Sequence, residues 1–172
     1  MVGAIARNEA GRSGAAGTEA AVRAYVKLLR ASRAVVAMVE PRLVAEHLTL
    51  TQFGVLEAVL HKGPLTQREL TRKVLTSAGN MTDVIDKLAA RGLVQRVPCP
   101  EDRRSVRIVL TPCGRALVER LFPLHAEDIA RAMAGLDAGE TGALDGLLRT
   151  LGHAAQAVEP LASLPCPSHL RR

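Results

Sequence analysis

The 172-residue chain has almost no aromatic residues: it lacks tryptophan, and Tyr25, Phe53 and Phe122 are its three aromatic side chains. A core without aromatic rings has to be filled by leucine, valine, isoleucine and alanine, which favours packed helices. No apolar run approaches the roughly 18–20 residues that a membrane-spanning helix requires, and the N-terminus is too weakly apolar for a signal peptide. We therefore expect a soluble cytoplasmic protein with no membrane segment.

Residues for covalent or metal chemistry are also scarce. The three cysteines, Cys99, Cys113 and Cys166, are an odd number without the spacing of a disulfide framework, which is typical of a reducing compartment. The histidines are scattered, and no His or Cys pair has chelating spacing, so we predict no metal and no cofactor. Because the chain lacks a nucleophile elbow, a phosphate loop and a dinucleotide fingerprint, an enzyme is the least favoured class.

Positive charge, by contrast, is abundant and concentrated. The formal net charge is +6 and the pI is about 9.9. Between Pro64 and Thr111 the chain carries nine Lys or Arg residues against five Asp or Glu residues, so most of the excess lies in this stretch. A polyanion is therefore the expected partner.

The two ends of the chain have helical periodicity. Apolar residues recur every seventh position from Val22 to Leu43 and predict a long helix over about 19–46, which Pro41 should kink or break near its end. A second pattern predicts a C-terminal helix capped by Asp137 and Glu140. Such helices indicate that the ends pack together, either with another copy of the chain or in an ordinary monomeric core. We predict a flexible N-terminal tail over residues 1–17 and an irregular C-terminal tail over residues 159–172.

The middle of the chain predicts three more helices. Thr51 can cap a short helix, and Thr66 with Glu69 has the spacing of a capping box for the next one. After a short turn, the third helix is predicted from about Ser77 to Arg91, with an apolar face on one side and a glycine stop.

A hairpin follows these helices. The segments "LVQRV" and "SVRIVLT" predict two strands joined by a turn with Arg103 and Arg104 at its tip. Thr111 followed by Pro112 predicts the start of a helix that runs to about Ala134, with a kink at Pro123. The predicted fold is mainly α with a small β-hairpin wing, that is, a winged helix-turn-helix.

This fold places the Ser77–Arg91 helix in a DNA major groove and the hairpin tip beside the backbone or in the minor groove. Small and amide side chains can approach base edges, and long cations suit phosphates. Asp83 is unexpected, because an acid there would repel phosphate or accept a hydrogen bond from a cytosine amino group. The candidate DNA contacts are Thr66, Gln67, Ser77, Gly79, Asn80, Met81, Thr82, Lys87, Arg103 and Arg104.

Residues 48–118, "LTLTQFGVLEAVLHKGPLTQRELTRKVLTSAGNMTDVIDKLAARGLVQRVPCPEDRRSVRIVLTPCGRALV", closely resemble the multiple antibiotic resistance regulator (MarR) family of bacterial transcription factors. The "LxxRGLVxR" lead-in to the hairpin contributes to the match. The most specific positions are Asp102, Arg104, Leu110, Thr111 and Gly114.

The resemblance implies a homodimer in which helices at about 19–46 and 112–157 interlock, within a family domain of residues 18–158 whose winged helix-turn-helix is about 48–111. It implies a repressor that binds a pseudo-palindromic double-stranded DNA operator and is released by a small phenolic or aromatic effector. Arg104, with Arg103 beside it, would enter the minor groove. Asp102 would hold the turn, and Asp86 would pair with the wing arginine.

Two regulatory sites and one other class stay open. The candidates for an effector pocket are Arg33, Met38, His47, Phe53 and His61, although Phe53 and Met38 also have the spacing of ordinary core residues. In an oxidant sensor, the thiolate would be favoured at Cys99 by the wing cations and at Cys113 by its place in a first helical turn, although incidental cysteines are the favoured interpretation of both. Their positions on the hairpin are too far apart for a disulfide within one chain. A winged-helix module that binds another protein would predict a neutral or acidic wing.

Overall fold

The computed structural model describes residues 3–74, 78–99 and 106–157, and the chain divides after Ala132 into two compact units. The elements of the first unit are α1 (Gly3–Ala45), α2 (Leu50–Lys62), β1 (Leu65–Thr66), α3 (Gln67–Val74), α4 (Ala78–Ala90), β2 (Val94–Pro98), β3 (Val106–Leu110) and α5 (Pro112–Ala132). The described part of the second unit contains α6 (Ala138–Ala157). The predicted class, mainly helical with a small antiparallel sheet, is confirmed.

Helix α1 differs from the prediction at both ends. It begins at Gly3, so residues 3–17 are helical rather than the predicted flexible tail; this stretch is rich in alanine and has no proline to stop a helix. Pro41 lies inside the helix, which continues to Ala45. The helix then ends in a Schellman turn, in which the Leu48 N–H donates to the Leu43 carbonyl at 2.9 Å and His47 has a positive φ of 55°.

The core is aliphatic, as the scarcity of aromatic residues predicts. It lies among α2, α3, α4, the sheet, α5 and the last turns of α1. Phe53 of α2 is its one fully buried ring among the described residues, and it contacts the ring of His125 edge to face at 4.7 Å between centroids. The fully buried aliphatic side chains include Leu43, Leu56, Leu70, Met81, Ile85, Leu88, Ile108 and Leu121.

Capping boxes fix the starts of the helices around this core. The predicted box at Thr66 and Glu69 is present: the Thr66 N–H donates to Glu69 at 2.8 Å, and the Glu69 N–H donates to the Thr66 hydroxyl at 3.3 Å. The prediction for α2 is wrong by two residues, because Thr49 is its cap and not Thr51. Gln52 explains the difference. It lies three residues after Thr49, as a capping box requires, and its side-chain oxygen accepts the Thr49 N–H at 2.9 Å.

The sheet has the order β1-β3-β2 with antiparallel pairing. The two wing strands are confirmed, and their register runs from Val94 opposite Leu110 to Pro98 opposite Val106. Strand β1 was not predicted: Leu65 and Thr66 pair with Ile108 and Arg107 on the other edge of β3. Two residues carry no alternating pattern, so this strand exists only through its tertiary partner.

The start of α5 lies against the start of β2. The Thr111 hydroxyl accepts the Gly114 N–H at 3.0 Å and donates to the Gly92 carbonyl at 2.6 Å, so the predicted cap is confirmed. A Cβ at position 114 would lie 1.9 Å from the carbonyl oxygen of Leu93. Only glycine therefore allows the helix and the strand to approach this closely.

In the second unit, the Asp137 and Glu140 pair caps α6 as predicted: the Glu140 N–H donates to Asp137 at 2.8 Å, and the Asp137 N–H donates to Glu140 at 3.0 Å. Helix α5 ends at Ala132, and a short turn separates it from α6, so the C-terminal region of the described chain consists of two helices.

No single helix among the described residues is long and apolar enough to cross a membrane. One pair of consecutive helical segments, residues 17–45 and Leu50–Lys62, passes that test when taken together, by length and composition only. The two segments meet at an angle of 79°.

Candidate nucleic-acid interface

Helix α4 has one buried face and one exposed face. Met81, Val84, Ile85 and Leu88 point into the core. The predicted contacts Gly79, Asn80, Thr82 and Lys87 are exposed, as is Asp83. The assignment of Met81 as a DNA contact is wrong for this conformation, because its side chain is fully buried and the helical period that puts Ile85 and Leu88 inside puts Met81 inside as well.

Helices α3 and α4 meet at their exposed edge. The side-chain amide of Gln67 donates to the Thr82 hydroxyl at 2.7 Å, so two predicted DNA contacts lie side by side across the turn. Thr66 has a different task, because its hydroxyl and N–H both donate to Glu69. These bonds, the backbone one first, lower the pKa of the Glu69 carboxyl below its ordinary value. The candidates Ser77, Asp102, Arg103 and Arg104 lie outside the described residues.

Asp86 forms an ion pair with a wing residue that was not among the predicted site residues. Its carboxylate forms an ion pair with Arg96 on β2 at 2.8 Å. The pair joins the second half of α4 to a wing strand and neutralises an acid on the face proposed to meet DNA. Arg96 belongs to the lead-in to the hairpin, so its position was visible in the sequence, but its partner was not.

Arg91 joins the end of α4 to the end of α1. Its guanidinium donates to the carbonyl of His47 at 2.6 Å and to the carbonyl of Glu46 at 3.0 Å. These carbonyls belong to the last turn after α1, where a cation is favourable. Glu46 also accepts from Arg120 of α5 at 2.8 Å, and this bond is the main cause of the lowered pKa of Glu46.

A second set of polar groups joins α1 to α5. Arg42 binds the carboxylate of Asp128 through Nε and Nη2, the latter at 3.0 Å, and Arg131 binds it as well. The Arg42 hydrogen bond lowers the pKa of Asp128 most. His125 is buried beside this pair, and its Nδ1 has no hydrogen-bond partner. Burial lowers the pKa of His125 against the opposing effects of Glu57 and Asp128, while Arg42 lowers it further.

The five effector candidates do not converge on one cavity. His61 contacts the Phe122 ring edge to face and lines a cleft of about 380 Å³ with Glu57, Lys62 and Lys73. Met38 lines a different cleft, between α1 and α5. The core interpretation is therefore right for Phe53 and wrong for Met38, which is 55% exposed because it lies on the outer side of α1. Arg33 and His47 are exposed and line neither cleft.

The two cysteines in the described residues lie in different surroundings. Cys99 follows β2 and is buried, whereas Cys113 is exposed in the first turn of α5. Neither forms a disulfide. Of the two, only Cys113 is directly open to an oxidant in this conformation.

A helix-turn-helix with an exposed polar recognition face, followed by a two-stranded hairpin on a short sheet, defines a winged-helix DNA-binding protein. A model of the MarR family matches residues 48–106. The transcriptional regulator MhqR of Bacillus subtilis is 30% identical over 135 residues, which are 78% of this chain and 93% of MhqR. The chain belongs to the MarR family and is a transcriptional regulator.

Other relatives agree with this assignment. The uncharacterized regulator YkoM of Bacillus subtilis is 39% identical over 102 residues, 59% of this chain, and the chain spans 66% of YkoM. The structure of BpsR from Bordetella bronchiseptica, whose DNA binding is regulated by 6-hydroxynicotinic acid, is 35% identical with a TM-score of 0.67, covering 73% of this chain and 89% of BpsR. A mutant Escherichia coli MarR, solved in complex with operator DNA, is 27% identical to this chain with a TM-score of 0.66. The match covers 72% of this chain and 89% of that protein.

Proposed function

We propose that this regulator is a homodimeric repressor that binds a pseudo-palindromic operator and is released by a small aromatic effector. The observation that carries the DNA-binding part is the exposed face of α4, where Gly79, Asn80, Thr82 and Lys87 stand opposite the buried Met81 side of the helix. Small and amide side chains come first along this face and a cation later. Base edges would be met by the first part and a phosphate by Lys87.

The wing extends this interface in the proposal. Strands β2 and β3 carry the hairpin whose tip includes Arg103 and Arg104 in the sequence. Arg104 would enter the minor groove, where a narrow groove concentrates negative potential and attracts a guanidinium. Asp86 supports the wing through Arg96 in this proposal, and its expected pairing with Arg104 lies outside the described residues.

Exposed apolar side chains on two helices support the homodimer. On α1 they fall at the i, i+3, i+4 and i+7 positions, which is a continuous stripe along one side of a helix. A monomer would leave this stripe in water, whereas a second copy of the chain would cover it. The residues are Val22, Tyr25, Val26 and Leu29 on α1 and, in the second unit, Leu147, Leu148 and Leu151 on α6.

The effector part of the proposal places a small aromatic acid in the cleft lined by His61, Lys62 and Lys73. Its apolar wall, formed by Ala58 and Val74, would take a ring, and the lysines would take a carboxylate. The regulation of BpsR by 6-hydroxynicotinic acid supports a ligand of this class. A thermal-shift screen of phenols, quinones and aromatic acids would find the ligand, and a hit should also release the operator.

The test of the whole proposal is a gel shift with the DNA that flanks the gene, in competition with bulk DNA and at two salt concentrations. We expect specific binding that weakens with salt and a two-fold symmetric footprint. Arg104→Ala should weaken operator binding at least tenfold while light scattering still gives a dimer. Arg115→Ala, on an exposed arginine that is ion-paired with Glu119, is the control and should change little. Equal affinity for operator and bulk DNA would contradict the proposal.

A further inference from the structure

Helix α3 carries more positive charge than its surroundings balance. Its eight residues, QRELTRKV, include Arg68, Arg72 and Lys73, all exposed, and one acid, Glu69. The Glu69 carboxylate already accepts bonds from the Thr66 N–H and hydroxyl, so it serves as the second half of a capping box. Arg72 acts on it only through charge, as a minor cause of its lowered pKa.

Seven arginines in the described part of the chain have carboxylate partners. Arg23, Arg42, Arg96, Arg115, Arg120, Arg131 and Arg149 each lie within 4 Å of an Asp or Glu oxygen. Within the same described residues, Arg68, Arg72 and Lys73 take part in no such ion pair. Three clustered cations without a carboxylate partner repel one another, so this surface is suited to an anion that arrives from outside.

The geometry of the outer face of α3, defined by Arg68, Arg72 and Lys73, fits phosphate groups. Arg68 and Arg72 are four residues apart and therefore lie on the same side of the helix. Together with Gln67 and Thr71 they line a groove of about 370 Å³, and Glu69, Arg72 and Lys73 line another of similar volume. Guanidinium groups donate in a planar fork that matches two phosphate oxygens.

The same face continues into the candidate nucleic-acid interface. Gln67, which lines the groove beside Arg68, is hydrogen-bonded to Thr82 on the exposed side of α4. Among the described residues, no aromatic side chain lines the first groove, whose wall is formed by the aliphatic stems and polar ends of glutamine, threonine and arginine, whereas the centre of a protein–protein interface is usually enriched in aromatic residues. A duplex that lies along α4 would therefore pass next to this face, and a nucleic acid fits it better than an acidic protein does.

We propose that the outer face of α3 binds the phosphate backbone of DNA flanking the operator, beyond the base pairs that α4 reads. The inference rests on the proposed operator binding, and by two-fold symmetry it applies at both ends of the site. These contacts add affinity and salt dependence without adding sequence preference, because they touch only the backbone.

The experiment compares two duplexes by fluorescence anisotropy over a range of salt concentrations: the operator alone and the operator extended by about ten base pairs on each side, roughly one helical turn. The variant is the double substitution Arg68→Gln and Arg72→Gln. The charge-matched control is Arg115→Gln with Arg149→Gln, two exposed arginines that are ion-paired within their own helices. Circular dichroism and light scattering establish that both variants keep the fold and the oligomeric state of the parent.

On the extended duplex, the variant should lower the slope of log K against log salt by about 3.6 for a dimer, since each lost phosphate contact removes about 0.9. The parent protein should lose roughly 100-fold more affinity than the variant between 50 and 200 mM salt. On the operator alone the two slopes should agree, and the ratio of operator to bulk affinity should not change. The control should match the parent protein on both duplexes.

Three results would overturn the inference. Unchanged slopes on the extended duplex would show that the face does not touch DNA, and a variant that instead loses binding to polyglutamate would assign the face to an acidic protein. An equal loss on the operator alone would place the contacts inside the half-site. A parent protein with no operator preference would contradict the proposed function itself, which is a separate outcome from the failure of the α3 contacts.

Discussion

Gly114→Ala should be one of the most destabilising small substitutions in this chain. Replacing a helical glycine by alanine usually stabilises a helix, by up to about 1 kcal/mol in its interior. At position 114 the new Cβ would lie 1.9 Å from the Leu93 carbonyl oxygen and 2.7 Å from its carbonyl carbon, and real Cβ atoms essentially never approach another heavy atom within 3.0 Å. The obstacle is backbone, so no side-chain rotation relieves it.

The size of the effect follows from what has to move. The Leu93 carbonyl must retreat by more than 1 Å, and it accepts the Thr111 N–H at 3.1 Å. Overpacking costs about 1–3 kcal/mol, and loss of this hydrogen bond adds about 1 kcal/mol. After the gain in helix propensity of about 1 kcal/mol is subtracted, we expect a loss of about 1–3 kcal/mol in the free energy of unfolding. For a protein of this size, that loss lowers Tm by roughly 2–12 °C.

The assay is urea and thermal unfolding followed by circular dichroism at one fixed protein concentration, because the proposed dimer would melt at a concentration-dependent temperature. Gly79→Ala is the matched control: Gly79 also lies in the first turn of a helix, and nothing lies within 4 Å of its added Cβ. It should stay within about 0.5 kcal/mol of the parent or be slightly more stable. If Gly114→Ala is as stable as Gly79→Ala, the close approach of α5 to β2 is not a real constraint.

Two further substitutions test the links among the helices. Because burial lowers the pKa of His125 in the folded protein, the unfolded chain binds more protons below the ordinary histidine value of about 6.5, and Tm should fall as the pH drops from 7 to 5.5. His125→Phe keeps a ring against Phe53 and should remove this decrease in Tm. If the variant and the parent show the same decrease, other titrating groups cause it. Arg91→Gln should lower Tm by about 2–4 °C, because the carbonyls of Glu46 and His47 lose their charged donor. A Tm equal to that of the parent would mean that water replaces the guanidinium at no cost.

Local signals in the sequence predicted local structure well. The pairs Thr66 with Glu69 and Asp137 with Glu140 form capping boxes because both partners lie within one turn of helix, so the chain itself brings them together. Thr111 caps α5 for the same reason. The error at α2 shows the limit of this approach, since two threonines stand close together there and only the position of Gln52 selects Thr49.

Features that depend on distant partners were not predicted. Strand β1 is two residues long and exists because β3 has a free edge beside it. The ion pair of Asp86 with Arg96 joins residues from different elements, and a helical period cannot show which cation is nearest. Met38 is exposed although its neighbours on α1, Val39 and Leu43, are buried, so a pattern that correctly predicted a helix gave the wrong burial for one of its residues.

The central position of β3 has a consequence for how affinity can be regulated. On one edge β3 holds β2, its partner in the wing, and on the other edge it holds β1, which leads directly into α3. The wing and the helix-turn-helix are therefore parts of one hydrogen-bonded block and cannot tilt independently. In the proposed homodimer, the proposed effector would change affinity by altering the separation between two such blocks, and spin labels on the two α4 helices would measure that separation as a single distance.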